Sequence, residues 1–595
     1  MKKILFTLLL VVLGITVKAQ DLDCVFTVNG IRYKITSVDN HEVSVIKKDD
    51  NGCASYGGRI IIPDSVEYNS VYYRVTSLED ETFYFSTLNS ISLPSGIYSI
   101  GERCFYSSYI NCDIHLPDSL RIIGEYAFFS VSGIQNIYMP SLVDSLGMRV
   151  FARMPELKNI IVDSTNMTYT SLEGVLYDKE KETIICSPAN RVGTYIIPSG
   201  VSTIGQLAFE GCKFSKIVLP NTIANIEDGA FWLCSNLVEL NIPSSVIYID
   251  GGVFAGVNRL CSISIDSLNT SYKLVDGCIY SMNMDTLVAY NFASGDVVIP
   301  QGVRIISDNS FAITDGLNTL VFPEGVEIIK SGAFQYSAVN NISLPSTLKK
   351  IEAYAFAYSA LKDVVIPNSV TEIGVGVFTC SRLETVVMSD SVKVIPTSAF
   401  EACSNLNSYT GGAAVEKIRI YAFSSCGTFA QNLVFLPNLK VLESGAFFLT
   451  EIKQVEFTGI IDTIGGSNFG DLRTLKLVNP TPPYTPKVAN QVFRVVIPCG
   501  ATEAYLADPK WSSYTYVEDC DGIDESEESN VRVVAKTRVI EVLNAEGCSV
   551  AIYDAMGRCL VSEGATGSSS RTYTVPTTGL YVVSIDGKGY KVVVK

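Results

Sequence analysis

Phenylalanine recurs at a fixed interval through the middle of this chain. It stands at positions 209, 231 and 254, then at 311, 334, 356, 378, 400 and 423, in steps of 22 or 23 residues. A proline stands eleven residues ahead of many of these rings, as in Pro94/Phe105, Pro117/Phe128, Pro140/Phe151, Pro220/Phe231, Pro243/Phe254, Pro300/Phe311 and Pro367/Phe378. A period of that length implies stacked repeats rather than one globular core. Within the unit Leu237 to Phe254, Leu237, Leu240 and Ile242 are spaced L-x-x-L-x-L, and the last two share one face of a strand. Pro243 has no N–H and ends that strand's pairing. Val246 and Ile249 turn back inward, and Phe254 fills the far side. One coil cannot bury its own apolar edge, so the expected fold is a β-rich solenoid of 22–23-residue coils. Its short parallel strands pair with the coil above and the coil below.

The consensus L-x-x-I-x-L-P-x-x-V-x-x-I-G-x-x-A-F-x-x-C resembles the BspA-like leucine-rich repeats of bacterial surface proteins. Val201 to Phe209 (VSTIGQLAF) and Val370 to Gly374 (VTEIG) follow it closely. The resemblance covers residues 88–478, and it implies a surface protein that adheres to host matrix or to other cells.

The flanks differ in character. Lys2 and Lys3, the apolar run Ile4 to Ile15 and the small residues Val17 and Ala19 read as a secretory signal peptide over 1–19. Asp23 before Cys24 argues against a lipid anchor, and no later stretch has the ~18 apolar residues of a membrane span. Residues 20–87 show alternating runs such as Ile31 to Ile35 and Val71 to Val75, punctuated by glycines, which predict a small β cap. Two insertions, near 163–190 and 266–293, align at an offset of 103: Asp163/Asp266, Asn166/Asn269, Tyr169/Tyr272, Gly174/Gly277 and Tyr177/Tyr280. Both read as β-hairpin excursions from a variant coil. Pro480, Pro482, Pro483 and Pro486 end the repeat, and 479–522 resembles the family's closing cap. The acidic run 523–530 reads as a solvated linker. Asp519, Asp521 and Asp524 beside it lack a full calcium loop. Residues 531–595 hold six short strand-like runs with glycine turns, a pattern for a small β-sandwich. Val550 to Arg558 (VAIYDAMGR), Gly579 to Val583 and the terminal KVVVK resemble a type IX secretion sorting domain, which implies transport across an outer membrane by that machinery.

Composition narrows function by exclusion. A formal net charge of −16 opposes binding to nucleic acid or to anionic lipid. Two histidines, His41 and His115, leave little for zinc sites or for histidine-assisted nucleophiles. No G-x-S-x-G, H-E-x-x-H or Walker-type loop occurs, so no enzyme, cofactor or metal is expected. Of 16 cysteines, Cys212, Cys234, Cys403 and Cys426 each follow a repeat phenylalanine by three residues, which places them in one small apolar slot. Cys24 with Cys53, and Cys499 with Cys520, lie outside the repeats and are the candidate disulfides.

What remains is a surface. The residue between the two core positions of each long strand points outward. Roughly 15 strands at ~4.8 Å make a ladder near 70 Å long. Its candidate ligand-binding residues are Tyr138, Val298, Val321, Val365, Val387 and Phe435. An apolar strip of this kind suits a protein partner, although valine is also what a tight parallel sheet favours. The expected function is therefore protein binding at the cell surface or after secretion. The alternative is a glycan-binding or scaffold component of a surface nutrient-capture system. Against that alternative, Trp232 and Trp511 both lie off the ladder.

Overall fold

The computed structural model describes residues 22–50, 54–290, 295–427, 432–487, 489–520 and most of 532–594, omitting 537, 544–545, 555–557, 569, 578 and 586–587. The signal-peptide reading (1–19), Cys53, Asp521, Asp524 and the linker 523–530 lie outside these residues. The chain divides into two units, 1–518 and 519–595.

The first unit is a parallel-strand β-solenoid of about 19 turns. Each coil has three sides. On the first, a strand of the Glu239–Ile242 type pairs in parallel with its neighbours, here Lys213–Val218 and Ser262–Ile265. Its pleat buries Leu240 and Ile242 and turns Asn241 outward, as the period of two requires. On the second side, two-residue strands such as Asn225–Ile226 and Tyr248–Ile249 form another parallel ladder. The third side carries the phenylalanines. Their rings stack in three files: Phe83 to Phe151, Phe209 to Phe254, and Tyr290 through Phe311 to Phe469. Neighbouring centroids lie 5.0–5.8 Å apart. Each buried ring of this size is worth about 1.5–3 kcal/mol of transfer free energy.

The third side also explains how a wall without regular strands is held. The residues two before and two after each stacked phenylalanine from Phe83 to Phe447 are left-handed, for example Tyr354 (φ 56°) and Tyr358 (φ 57°) around Phe356. The amides of Tyr354, Phe356 and Tyr358 donate to Val375, Val377 and Thr379 carbonyls of the next coil at 2.9, 2.8 and 2.7 Å. A left-handed non-glycine residue costs roughly 1–2 kcal/mol. Here that conformation aims alternate amides along the stack and satisfies groups that would otherwise be buried unpaired. At some of these positions a large left-handed residue leans on a glycine of the next coil. A Cβ on Gly376 would fall 2.4 Å from the Tyr354 ring, and one on Gly445 would fall 2.6 Å from the Tyr421 ring.

The chain before the first coils is antiparallel. Val25–Val28, Ile31–Ser37 and Glu42–Val45 form an antiparallel meander, and Glu42–Val45 then pairs in parallel with Val71–Leu78, the first rung of the second-side ladder. Parallel pairing begins before Leu88, because Gly57–Ile61 already pairs with Thr87–Ser92. At the other end the prolines do not stop the ladder. Ala489–Pro498 adds one more parallel strand beside Phe469–Lys476. Closure comes after it, where Trp511 Nε1 donates to the Pro483 carbonyl at 2.9 Å and Tyr505 Oη donates to the Asn479 carbonyl at 3.1 Å.

Both excursions are three-stranded meanders. Tyr169–Leu172, Val175–Asp178 and Thr183–Cys186 pair antiparallel, and the third strand rejoins the second-side ladder beside Thr203–Ile204. The second excursion repeats this with Thr286–Tyr290 beside Ile305–Ile306. Buried Asn166 seats the first. Its Nδ2 donates to the Pro140 and Val143 carbonyls (3.0 and 2.9 Å), while Oδ1 accepts from Thr168 and Tyr169 amides. Asn269 does the same with Pro243, Val246, Ser271 and Tyr272.

In the second unit, Arg532–Lys536, Val539–Leu543 and Ser570–Thr574 form one antiparallel sheet. Val550–Asp554, Cys559–Glu563, Gly579–Ile585 and Lys588–Val594 form another. Ile540, Val542, Val550, Ile552 and Val583 share one buried cluster.

Candidate functional site

The first-side ladder is the candidate site, and register decides what it shows. Val298 pairs with Val321, and Val321 with Ser343. Val365 pairs with Val387, and Val387 with Thr410. All four valines face outward, with Val298 66 % and Val365 61 % exposed. Toward the opening cap, His115, Tyr138 and Ile161 occupy consecutive rungs. The His115 and Tyr138 rings stack at 4.2 Å with 2° between their planes. Tyr138 is half-buried by this neighbour.

Phe435 requires a correction. It is 7 % exposed and points into the core, where it stacks on Phe457 at 4.7 Å. The outward residue of that rung is Val434, 55 % exposed. Counting back from the proline misplaces the rung, because Pro437 stands one residue later in its turn than Pro243 does. The pleat is set instead by pairing with Gln454–Phe457, which matches Val434 to Glu456 and Phe435 to Phe457. Sequence reasoning also missed Ile61 and Ile196, both outward and exposed. Each precedes an I-P or I-I-P step, and that signal could have found them.

The cysteines separate by environment. Cys212, Cys234, Cys403 and Cys426 are buried free thiols. The Sγ atoms of Cys234, Cys403 and Cys426 donate to the carbonyls of Phe209, Phe378 and Phe400 at 2.9, 3.1 and 3.2 Å. Burial pushes Cys212 and Cys403 up to about 12, and Cys234 and Cys426 upward as well. Such thiols are unreactive. Serine and threonine occupy the same slot in other coils, including Ser108, Ser337, Ser359 and Thr314, all buried. The expected Cys24–Cys53 bridge is corrected on the Cys24 side. That thiol is free, with its sulfur against Tyr68 Oη at 3.5 Å. Cys499 and Cys520 are both disulfide-bonded. They form a cluster with Glu518 that lacks the thiolates a metal would need. Glu518 is itself engaged: it accepts from Thr502 Oγ1 and from the Gly500 and Thr502 amides at 2.6, 3.0 and 3.1 Å. These bonds lower its pKa.

One buried carboxylate stands out. Glu210, 3 % exposed, sits where the first excursion interrupts the stack. It receives Arg149 Nε and Nη2 at 2.9 and 3.1 Å, from a coil 61 residues earlier. Burial raises its pKa, and the Arg149 and Arg153 charges oppose that shift. The pair joins the coils on either side of the excursion, which makes its role structural.

Comparison with known proteins agrees with this geometry. The BspA type leucine rich repeat region matches residues 64–175, 189–291, 288–407 and 403–494. The chain belongs to the BspA-type leucine-rich-repeat family. Domain of unknown function DUF6383 matches 521–594. No curated protein matches the sequence. Among solved structures, this BspA-type chain is similar to a leucine rich cell surface protein from Faecalibacterium prausnitzii: 23 % identity, 66 % of this chain and 96 % of that one covered, TM-score 0.35. It is also similar to the pneumococcal vaccine antigen PcpA, at 18 % identity over 75 % of this chain and 100 % of that one, TM-score 0.29. A leucine-rich repeat protein from Bacteroides ovatus is 17 % identical, covering 83 % and 100 %, with a TM-score of 0.24. Among the described residues no helix is long and apolar enough to cross a membrane.

Proposed function

We propose that this BspA-type protein is secreted or displayed on the cell surface and binds a protein ligand through its first-side ladder, as an adhesin does, with no catalysis of its own. The observation that carries the reading is the register that sets Val298 beside Val321 and Val365 beside Val387, side chains outward. Two exposed valine pairs, parted by Ser343 on the rung between them, are apolar surface that a partner would cover. The family's surface character, the signal-peptide pattern over 1–19 and the sorting-domain pattern in the tail support export, the last through the secretion machinery it resembles. A matrix protein of a host or the surface of another cell is the partner class proposed. The test is to array the full chain lacking 1–19 against matrix proteins and glycans, beside a Val365→Glu/Val387→Glu variant. Loss of a protein ligand in the variant supports the reading, and unchanged binding refutes it. Glycan capture keeps one observation in its favour. Tyr336 and Tyr358 form a stacked, exposed pair on the third side, 4.5 Å apart and 14° from parallel. Glycan binding lost in Tyr358→Ala would favour that reading instead.

A further inference from the structure

We propose that the break between strands Ser408–Gly411 and Asn432–Phe435 is a pocket for one aromatic side chain, carried on an extended segment of the protein partner. The proposal rests on the first-side ladder being the binding face. Ser408–Gly411 is the last strand of its sheet, paired with Thr385–Met388, and Asn432–Phe435 is the first strand of the next, paired with Gln454–Phe457. The two are not paired with each other among the described residues. On the second side the same coils stay joined, Lys417–Ile418 to Val441–Leu442. The stack therefore opens on the ladder face alone. Two features of sequence open it: Gly411 and Gly412 are both left-handed, with φ of 82° and 75°, and the coil from Phe423 to Phe447 runs 24 residues.

The opening leaves a hollow over core side chains that stay almost fully buried, Phe423 and Phe447 being each 1 % exposed. A cavity of about 310 Å³ reaches Phe423 and Phe447. Leu433 and Leu439 line it too, and Val434 and Leu436 stand at its rim. That volume is at the small end of the ~300–1,000 Å³ typical of ligand sites, so it takes a single ring rather than a long chain. Phe423 and Phe447 are stacked on both faces within their file, so a guest ring meets their edges, as in a T-shaped pair. Tyr409 and Thr410 bring hydroxyls to the lining. Tyr409 is wedged edge-on between Phe400 and Phe423, 5.9 and 5.2 Å away, and its hydroxyl has no hydrogen-bond partner among the described residues. The flanking strand edges offer main-chain donors and acceptors at strand spacing. An added segment uses such edges while its alternate side chains enter pockets. An apolar anchor in a desolvated pocket is where interface energy concentrates.

The experiment uses the full chain lacking 1–19 and two fluorescently labelled pentapeptides, acetyl-Thr-Val-Phe-Val-Thr-amide and its central-alanine counterpart, read by anisotropy. The phenylalanine peptide is expected to bind at least tenfold tighter than the alanine peptide. Leu436→Trp, at an exposed rim position, is expected to close the mouth and erase the difference, with the circular dichroism spectrum unchanged. Tyr409→Phe keeps the shape and is expected to weaken a tyrosine-centred peptide several-fold while sparing the phenylalanine one. Absence of binding, equal binding of the first two peptides, or full discrimination in Leu436→Trp overturns the pocket. If the pocket fails while Val365→Glu/Val387→Glu still abolishes ligand binding, the face stands without it. If the peptides discriminate while that variant keeps its ligand, the face fails and the pocket remains.

Discussion

Three residues after most of the stacked phenylalanines lies a small side chain, cysteine, serine, threonine or valine, while Met154 and Leu472 take that place after Phe151 and Phe469. The period made the cysteines legible as packing residues. It did not reveal their hydrogen bonds, because the acceptor is a carbonyl of the previous coil and only the fold brings it near. Two outcomes follow from this slot. Alkylation of the native chain at pH 8 should modify the exposed Cys261 and Cys559 and spare Cys234, Cys403 and Cys426, as peptide mapping would read. Cys403→Ser should change stability by less than about 1 kcal/mol, because hydroxyls fill the slot elsewhere and keep a donor. Glu518 gives the pH dependence. Its pKa is lowered from an ordinary 4.5 by the Thr502 hydroxyl and the Gly500 and Thr502 amides. For an acid with a depressed folded value, the stabilisation is present above pH 4.5 and is lost as pH falls through the folded value. Unfolding midpoints of wild type and Glu518→Gln should differ at pH 6 and converge toward pH 3.

At the scale of elements, the excursions show how far a sequence pattern reaches. The constant offset between Asn166 and Asn269 identified one unit used twice. It did not show that each asparagine holds the turn of the coil before it, since the acceptors belong to residues 23 and 26 positions earlier. Asn269→Ala would leave two carbonyls and two amides without their partner, at a cost of about 1–3 kcal/mol. The loss should appear by hydrogen exchange first at Ser271 and Tyr272. Removing Glu210 should cost more, about 3–5 kcal/mol, because Arg149 would stay partly buried and unpaired. Chemical denaturation of Glu210→Ala tests this. Rungs were less legible than coils. Proline marks where a strand ends, yet the pleat is set by the neighbouring strand, which is why Phe435 reads as outward by counting and is inward by pairing. The left-handed pairs around each phenylalanine gave no composition signal, since Leu207, Tyr354 and Gly376 fill equivalent positions.

For the whole solenoid, stability is close to a sum over coils and their interfaces. Phe356→Ala, which opens a hole between two neighbouring rings, should cost about 3–5 kcal/mol, with hydrogen exchange rising around Phe334 and Phe378 before the cap at Tyr33. The fold followed from the sequence because the stacking residues repeat. The site was less legible because its outward residues do not repeat: valine in one block gives way to His115, Asn241 or Ser264 in others. The valines become neighbours, in two pairs, only through register.

The most direct measurement replaces Val298, Val321, Val365 and Val387 together by glutamate in the full chain lacking 1–19, then compares folding and ligand capture with wild type on the same array. The account predicts an unchanged circular dichroism spectrum and at least a tenfold loss of affinity for the protein ligand that wild type retains. A folded variant that keeps that ligand at full affinity, or a wild type that retains no protein at all, would contradict it.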